Sequence, residues 1–159
     1  MNHSDKAIEL FYEGYNCAQS FLGAYDDILP FDRDSLLRIS SSFGGGVSRL
    51  REVCGAFSGI CLALGMLYTP ECSNEAEAKT AHYRRVQELA KQFKTENGSY
   101  LCYELLKIPH EPQEPSAQQR TTVYYQNRPC AEIISKAAYL FDRYLETHPF
   151  KYNKGGIKK

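Results

Sequence analysis

Apolar residues recur along the chain at spacings of three and four, the period of a helix that buries one face. One such stripe runs from Ala76 to Phe93, and another runs from Ile134 to Leu145. No segment shows the alternation of apolar and polar residues that is typical of a half-buried strand. The pattern therefore predicts an all-α protein.

Capping and stop signals divide this pattern into a bundle of about six helices. Asn16 and Gln19 have the spacing of a capping box, and Gly98 follows the long stripe as a stop signal. We expect a single helical domain over residues 1–150 and a basic flexible tail over residues 151–159. The predicted helical segments are 4–13, 17–24, 32–42, 53–67, 74–97, 100–107 and a last one that begins at Cys130.

Small residues and two irregular segments determine how these helices connect. Gly55, Gly59 and Ala63 lie four residues apart on one helix face, a spacing that lets another backbone approach closely. A glycine-rich connector precedes that helix. The segment 108–128 is rich in proline and polar residues and is longer than most loops in compact domains, so we interpret it as a candidate lid.

Charge and hydropathy exclude several classes of partner. The chain has 19 Lys+Arg and 19 Asp+Glu residues, so its formal net charge of zero gives no electrostatic case for nucleic acid as a partner.

The N-terminal residues lack the apolar run of a secretory signal, and the most apolar stretch, 53–68, is too short to cross a bilayer comfortably. We predict a cytoplasmic protein without membrane insertion that acts on a redox partner protein or a small molecule. The oligomeric state stays open, with a homodimer among the options.

Four of the six cysteines fall where a predicted helix begins. The first turn of a helix has free N–H groups and the positive end of the helix dipole, both of which favour the reactive thiolate. The chain has no CxxC pair, which disfavours a thioredoxin-type dithiol and a zinc ribbon, and no CxxCH, which excludes covalent c-type haem. The four are Cys17, Cys54, Cys102 and Cys130.

The repeated placement predicts that these four cysteines form one site. Two thiolates about 4 Å apart repel by roughly 4 kcal/mol at an effective dielectric constant of 20, whereas a helix end contributes only about 0.3–1 kcal/mol per charge. If the four cysteines converge, the stable states of the site are therefore a disulfide, a partly protonated set of thiols, or thiolates bound to zinc or to an iron–sulfur cluster. The arithmetic favours a cluster or another metal centre in an oxidoreductase or electron-transfer protein, with the same cysteines acting as redox thiols if no metal binds.

Two other interpretations remain open at this stage. In one, the cysteines hold structural zinc in a helical interaction module without redox activity. In the other, they only pack, because a free cysteine is among the most often buried residue types. The same packing interpretation applies to Cys61, whereas Cys72 reads as an incidental exposed thiol.

Glycines near the cysteines are candidates for contact with a bound group through their backbone. The run Gly44, Gly45 and Gly46, which precedes Arg49 and Arg51, has the composition of a nest that binds an anion or cluster sulfurs, although close backbone packing around Cys54 is the preferred explanation. Gly55 is a further backbone candidate beside Cys54. Among the histidines, His110 in the long loop is the one that closure would bring to a site.

Five short segments that contain the four cysteines follow one another through most of the chain. They are 14–19 (GYNCAQ), 43–46 (FGGG), 54–59 (CGAFSG), Cys102 with the following 104–106 (ELL), and 129–130 (PC). In these segments the chain resembles a known family of redox-active proteins that is named for the pattern C_GCAxxG_C_C. The resemblance implies a helical protein whose redox role depends on the four cysteines. Some relatives carry haem, but the lack of CxxCH means that this feature does not carry over, and Cys61 and Cys72 are extra to the signature.

Overall fold

The computed structural model describes residues 2–69 and 74–150, which form an all-α fold. Six of its helices have seven or more residues, so the predicted fold class is confirmed. The predicted tail at 151–159 and Cys72 lie outside the described residues. The helices are α1 (His3–Tyr12), α2 (Cys17–Ala24), α3 (Arg33–Ser40), α4 (Gly55–Tyr68), α5 (Ala76–Asn97), α6 (Cys102–Leu106), α7 (Thr122–Gln126) and α8 (Cys130–Thr147).

Local capping explains where several of these helices begin. The Asn16 side chain accepts hydrogen bonds from the backbone of Ala18 and Gln19, and the Gln19 side chain accepts one from the Asn16 backbone. This is the predicted capping box, and it makes Cys17 the first residue of α2. Asp32 caps α3 in a similar way through the backbone N–H of Ser35.

Several predicted boundaries are wrong, among them the start of α6, which is Cys102 rather than Tyr100, and one loop assignment is also wrong. Helix α4 begins at Gly55 rather than at Val53, because Val53 pairs with Leu101 in an isolated antiparallel bridge. Helix α3 ends at Ser40 and continues as a 3₁₀ turn, Ser41–Phe43. The segment 108–128, predicted to be a loop, contains the short helix α7, which no periodic pattern of apolar residues predicts.

An aromatic core joins α1, α2 and α8. Phe21, Tyr25 and Phe141 are fully buried, and the Tyr25 and Phe141 rings meet edge to face with their centres 5.2 Å apart. The Tyr25 hydroxyl donates a hydrogen bond to the backbone carbonyl of Ala138 at 2.9 Å, so this large polar residue is satisfied in the core. The core fixes α2 and α8, whose first residues are Cys17 and Cys130.

Helices α2 and α4 approach each other closely at the predicted stripe of small residues. A Cβ atom at Gly59 would lie 2.6 Å from the Phe21 ring, and one at Gly55 would lie 3.1 Å from the Cβ atom of Cys17. Ala63 is fully buried on the same helix. The expectation of close packing at Gly55 and Gly59 is confirmed, and this packing places the start of α2 against the start of α4.

The isolated bridge joins the starts of α4 and α6. The backbone N–H of Cys54 donates to the Tyr100 carbonyl at 2.8 Å, and the N–H of Cys102 donates to the Glu52 carbonyl at 2.6 Å. These two hydrogen bonds flank the Val53–Leu101 pair. They fix Cys54 and Cys102 on either side of the Val53–Leu101 pair, although the two residues are distant in sequence.

Within residues 2–69 and 74–150, no helix is long and apolar enough to cross a membrane.

Replacing Gly59 with alanine tests the close contact between α2 and α4. We expect Gly59→Ala to lower the free energy of unfolding by about 1–3 kcal/mol, because the added methyl group overlaps the buried Phe21 ring. Gly65→Ala is the matched control on the same helix, where a Cβ atom meets nothing within 4 Å. It should raise the free energy of unfolding by about 0.5–1 kcal/mol. Equal effects of the two changes in urea denaturation would contradict the packing described here.

Candidate functional site

The four cysteines predicted to share a site line one cavity of about 810 Å³. The starts of α2, α4, α6 and α8 converge on it, together with the connector after Phe43 and the loop before α8. Each cysteine lies at or next to a helix start: Cys17, Cys102 and Cys130 are first residues, and Cys54 directly precedes α4. The expectation that Cys54 lies inside the first turn is wrong by one position, since the bridge keeps its backbone extended.

Cys17 and Cys130 both line the cavity, and their thiols interact with each other. This interaction has opposite effects on the two thiols: it raises the pKa of Cys17 well above its ordinary value and lowers the pKa of Cys130 to about 7. Burial raises the pKa of Cys17 further. Cys130 is therefore the member of the pair that ionises near neutral pH, whereas Cys17 stays a thiol.

Two arginines from the long loop favour the Cys130 thiolate. Arg128 lowers the pKa of Cys130 through its charge and through a hydrogen bond, and Arg120 lowers it through its charge. Arg120 is held by a 2.9 Å hydrogen bond to the Tyr124 hydroxyl, and its guanidinium lies over the Phe11 and Tyr124 rings. The loop thus supplies the positive charge that burial of a thiolate requires.

Cys54 and Cys102 are more deeply buried and stay protonated at neutral pH. Burial raises the pKa of Cys54 to about 12, although the backbone N–H groups of Ala56 and Phe57 act in the opposite direction. Burial also raises the pKa of Cys102, against the effect of Arg51, whose Nη1 lies 3.7 Å from the Cys102 Sγ atom. Cys130 is therefore the cysteine of the cavity that ionises most readily.

A left-handed turn of backbone forms the wall beside Cys102. Residues 45 to 49 all have positive φ angles, between 50° and 70°, and Arg51 follows with φ of 63°. A residue larger than glycine would clash at position 46, because a Cβ atom on Gly46 would lie 2.6 Å from the Cβ atom of Cys102. The predicted glycine run is thus close to the cysteines, and its backbone conformation extends through Val47, Ser48 and Arg49, where it costs about 1–2 kcal/mol per residue.

The long loop predicted as a lid forms one side of the cavity. Pro115, Ala117, Arg120 and Tyr124 contribute to the lining. Gln113 attaches the loop to the left-handed turn, since its N–H donates to the Arg49 carbonyl at 3.1 Å and its Oε1 accepts from Arg51. Opening of this loop stays a prediction.

The cysteine side chains have the chemistry that a metal site requires, but in the described structure they are not arranged as ligands of a single ion. Cysteine sulfurs are the ligands that zinc and iron–sulfur clusters use. Within the part of the chain that the structure describes, no three His, Cys, Asp or Glu side chains come together as ligands for one metal ion.

The remaining candidates lie away from the cavity. Cys61 is half-buried, packs against the core and has its pKa raised to about 11 by burial, as its packing interpretation predicts. His110 lies on the other side of the turn, where its Nε2 is 3.0 Å from Glu52 and its ring stacks on Tyr103. Sequence reasoning missed Arg120 and Arg128, because no local pattern shows that they lie near a thiol.

A family model described as "Putative redox-active protein (C_GCAxxG_C_C)" matches residues 15–144. The chain belongs to this family. The matched region contains all four cysteines of the cavity, and the family supports a general redox role for the chain. No curated protein and no solved structure matches it.

Replacing Val47 with glycine tests the strain in the left-handed turn. A β-branched residue is disfavoured at φ of 63°, so Val47→Gly should raise the free energy of unfolding by roughly 0.5–1 kcal/mol. Val123→Gly is the control, because Val123 is exposed within α7 and has no positive φ. It should lower the free energy of unfolding by about 0.5–1 kcal/mol. A loss of stability in both variants would show that the turn is not strained.

The pH dependence of alkylation tests the state of Cys130. Iodoacetamide reacts with the thiolate, so the alkylation rate of Cys130, followed by peptide mass spectrometry, should rise with pH and reach half its maximum near pH 7. Cys17→Ala and Arg128→Gln should each move this midpoint to higher pH, because each removes a group that stabilises the thiolate. Arg143→Gln, at an exposed position on α8, should leave it unchanged. A wild-type midpoint at or above the ordinary thiol value of about 8.5 would refute the assignment.

Proposed function

We propose that this chain is a thiol–disulfide redox protein in which Cys130 is the attacking thiolate and Cys17 is the resolving thiol. The observation that carries the proposal is that Cys17 and Cys130, the first residues of α2 and α8, line the same cavity, where their interaction raises the pKa of Cys17 and lowers the pKa of Cys130 to about 7. The pair supplies a nucleophile with a pKa near neutral pH and a second thiol beside it, which are the two requirements of a dithiol exchange centre. This arrangement does not need CxxC spacing, because two helix starts bring the sulfurs together.

The reaction proceeds in two exchange steps. The Cys130 thiolate attacks one sulfur of a substrate disulfide, which forms a mixed disulfide and releases the other half of the substrate as a thiolate. Cys17 gives its proton to the released thiolate, and the Cys17 sulfur then attacks the Cys130 sulfur. A Cys17–Cys130 disulfide forms and the second half of the substrate leaves, so two electrons pass from the protein to the substrate. An external dithiol reductant returns the protein to its starting state.

The protonation states of the four cysteines support this exchange chemistry. The repulsion expected among converging thiolates is absent when only Cys130 is ionised. Cys54 and Cys102 are kept as thiols by burial. A partly protonated set of this kind does not require a metal ion to offset repulsion among thiolates.

An iron–sulfur cluster is the second candidate, and the convergence of four cysteines on one cavity favours it. A cluster contains several iron atoms and does not require its cysteine ligands to surround one ion. Cys17, Cys54, Cys102 and Cys130 would hold it, and it would supply one-electron transfer. Structural zinc has no comparable support, because the described residues contain no ligand group for a single ion.

Disulfide mapping tests the proposed pair. Treatment of reduced protein with hydroxyethyl disulfide should produce a Cys17–Cys130 disulfide, detected as one linked peptide by mass spectrometry and reversed by dithiothreitol. In Cys17→Ser, the resolving step is lost and a mixed disulfide should accumulate on Cys130. Cys61→Ser should behave as the wild type, since Cys61 lies outside the cavity. A disulfide that excludes Cys130, or no disulfide at all, would overturn the assignment.

Metal analysis of protein purified without exposure to air separates the two candidates. Dithiol chemistry predicts substoichiometric iron, zinc and acid-labile sulfide, together with free Cys17 and Cys130. Stoichiometric iron and sulfide with visible absorption, both lost in Cys54→Ser, would replace the dithiol proposal by the cluster. Stoichiometric zinc would instead support the structural alternative.

A further inference from the structure

The lining of the cavity is strongly positive. Four arginines line it, and no Asp or Glu does so among the described residues. The single thiolate of Cys130 balances only part of this charge. The four are Arg49, Arg51, Arg120 and Arg128.

Neutral groups, rather than carboxylates, hold these arginines in place. Arg51 donates to Gln113 Oε1 at 2.9 and 2.7 Å, and Arg128 donates to Gln118. In the described ranges none of the four arginines forms an ion pair with a carboxylate. Amide partners orient a guanidinium without neutralising it, so the positive charge remains available to a ligand.

Arg49 has a donor that the protein leaves unused. Its Nε atom is buried and has no hydrogen-bond partner in the described structure, and one of its terminal nitrogens is 3.4 Å from Gln113. An unsatisfied buried donor is costly and calls for a partner. Burial and the nearby charges of Arg51 and Arg128 also lower the pKa of Arg49, which shows how crowded the positive groups are.

We infer that the cavity binds a small anionic disulfide, with a carboxylate of the substrate on Arg49 and Arg51 and its sulfur–sulfur bond presented to Cys130. The inference rests on the proposed dithiol function and names its substrate class. The volume of about 810 Å³ accommodates a molecule of peptide size, which is larger than a simple inorganic oxyanion needs. The substrate disulfide takes two electrons from the protein and two protons, one from Cys17 and one from water, and leaves as two thiols, while the protein is left with the Cys17–Cys130 disulfide.

Substitutions of Arg49 test anion binding separately from the pKa of Cys130. The charges that lower the pKa of Cys130 are those of Arg128 and Arg120. Arg49→Gln should therefore weaken anion recognition without changing the thiolate. Arg49→Lys keeps the charge but loses the planar fork of donors, and it should retain part of the recognition.

Exchange rates with three matched disulfides test the inference. The probes are dithiodipropionate, which is dianionic, its neutral diamide, and the dicationic cystamine. With the wild type, the dianion should react at least about tenfold faster than the diamide, and cystamine should be the slowest. Arg49→Gln should reduce the rate with the dianion about tenfold and leave the rate with the diamide unchanged. Arg143→Gln should change neither rate.

Two outcomes would overturn the inference. One is an equal rate with the dianion and the diamide. The other is a preference for the dianion that Arg49→Gln does not reduce in a variant that retains the wild-type circular dichroism spectrum and Cys130 alkylation midpoint. Both leave the proposed function intact if the Cys17–Cys130 disulfide still forms.

Calorimetry on Cys130→Ser tests binding without the reaction. Dithiodipropionate should bind this variant, the diamide should bind it at least about tenfold more weakly, and Cys130→Ser/Arg49→Gln should lose this difference. Absence of binding, or equal binding of both probes, would overturn the inference. Failure of the proposed function, in contrast, would be seen as no Cys17–Cys130 disulfide with any of the three probes.

Discussion

The cysteine cavity depends on glycines at which two segments of the chain approach more closely than a Cβ atom would allow. Gly55 lies against Cys17, Gly46 lies against Cys102, and Gly44 lies so close to the Asn16 side chain that a Cβ atom would overlap it. Each of these glycines lets a different part of the chain lie next to a residue at a helix start. The cysteines converge because three separate contacts are closer than any other residue type would allow.

The same convergence creates an electrostatic problem that proton placement solves. Four thiolates in one cavity would repel strongly, but the pKa values of Cys17, Cys54 and Cys102 are all raised, and only that of Cys130 is lowered. Ionisation of Cys130 alone then places one negative charge beside several guanidinium groups. The excess is positive, which makes the cavity suited to a thiolate and to an anionic ligand together.

Backbone strain is concentrated at this positive wall. The left-handed turn includes Val47, Ser48 and Arg49, and Arg51 also has a positive φ angle. Hydrogen bonds from Gln113 to the Arg49 carbonyl and from Cys102 to the Glu52 carbonyl hold the segment on both sides. The conformation directs both arginines of the turn to the cavity. Strain that persists beside reactive groups is a common property of functional sites.

Local interactions determined what the sequence by itself predicts here. The helical period, the capping box at Asn16 and the stop at Gly98 depend on residues a few positions apart, and they place Cys17, Cys102 and Cys130 at helix starts. Glycine spacing likewise predicts the tight packing at Gly59.

Only the tertiary structure decided which groups meet. The bridge between Val53 and Leu101, the left-handed conformation of Val47 and the pairing of Cys17 with Cys130 have no local signal, because each depends on contacts between distant segments. The charge on each thiol is decided in the same way. A pKa depends on burial and on neighbours through space, so four cysteines that look alike in the sequence differ in the fold, which lowers the pKa of Cys130 and raises the pKa of the other three.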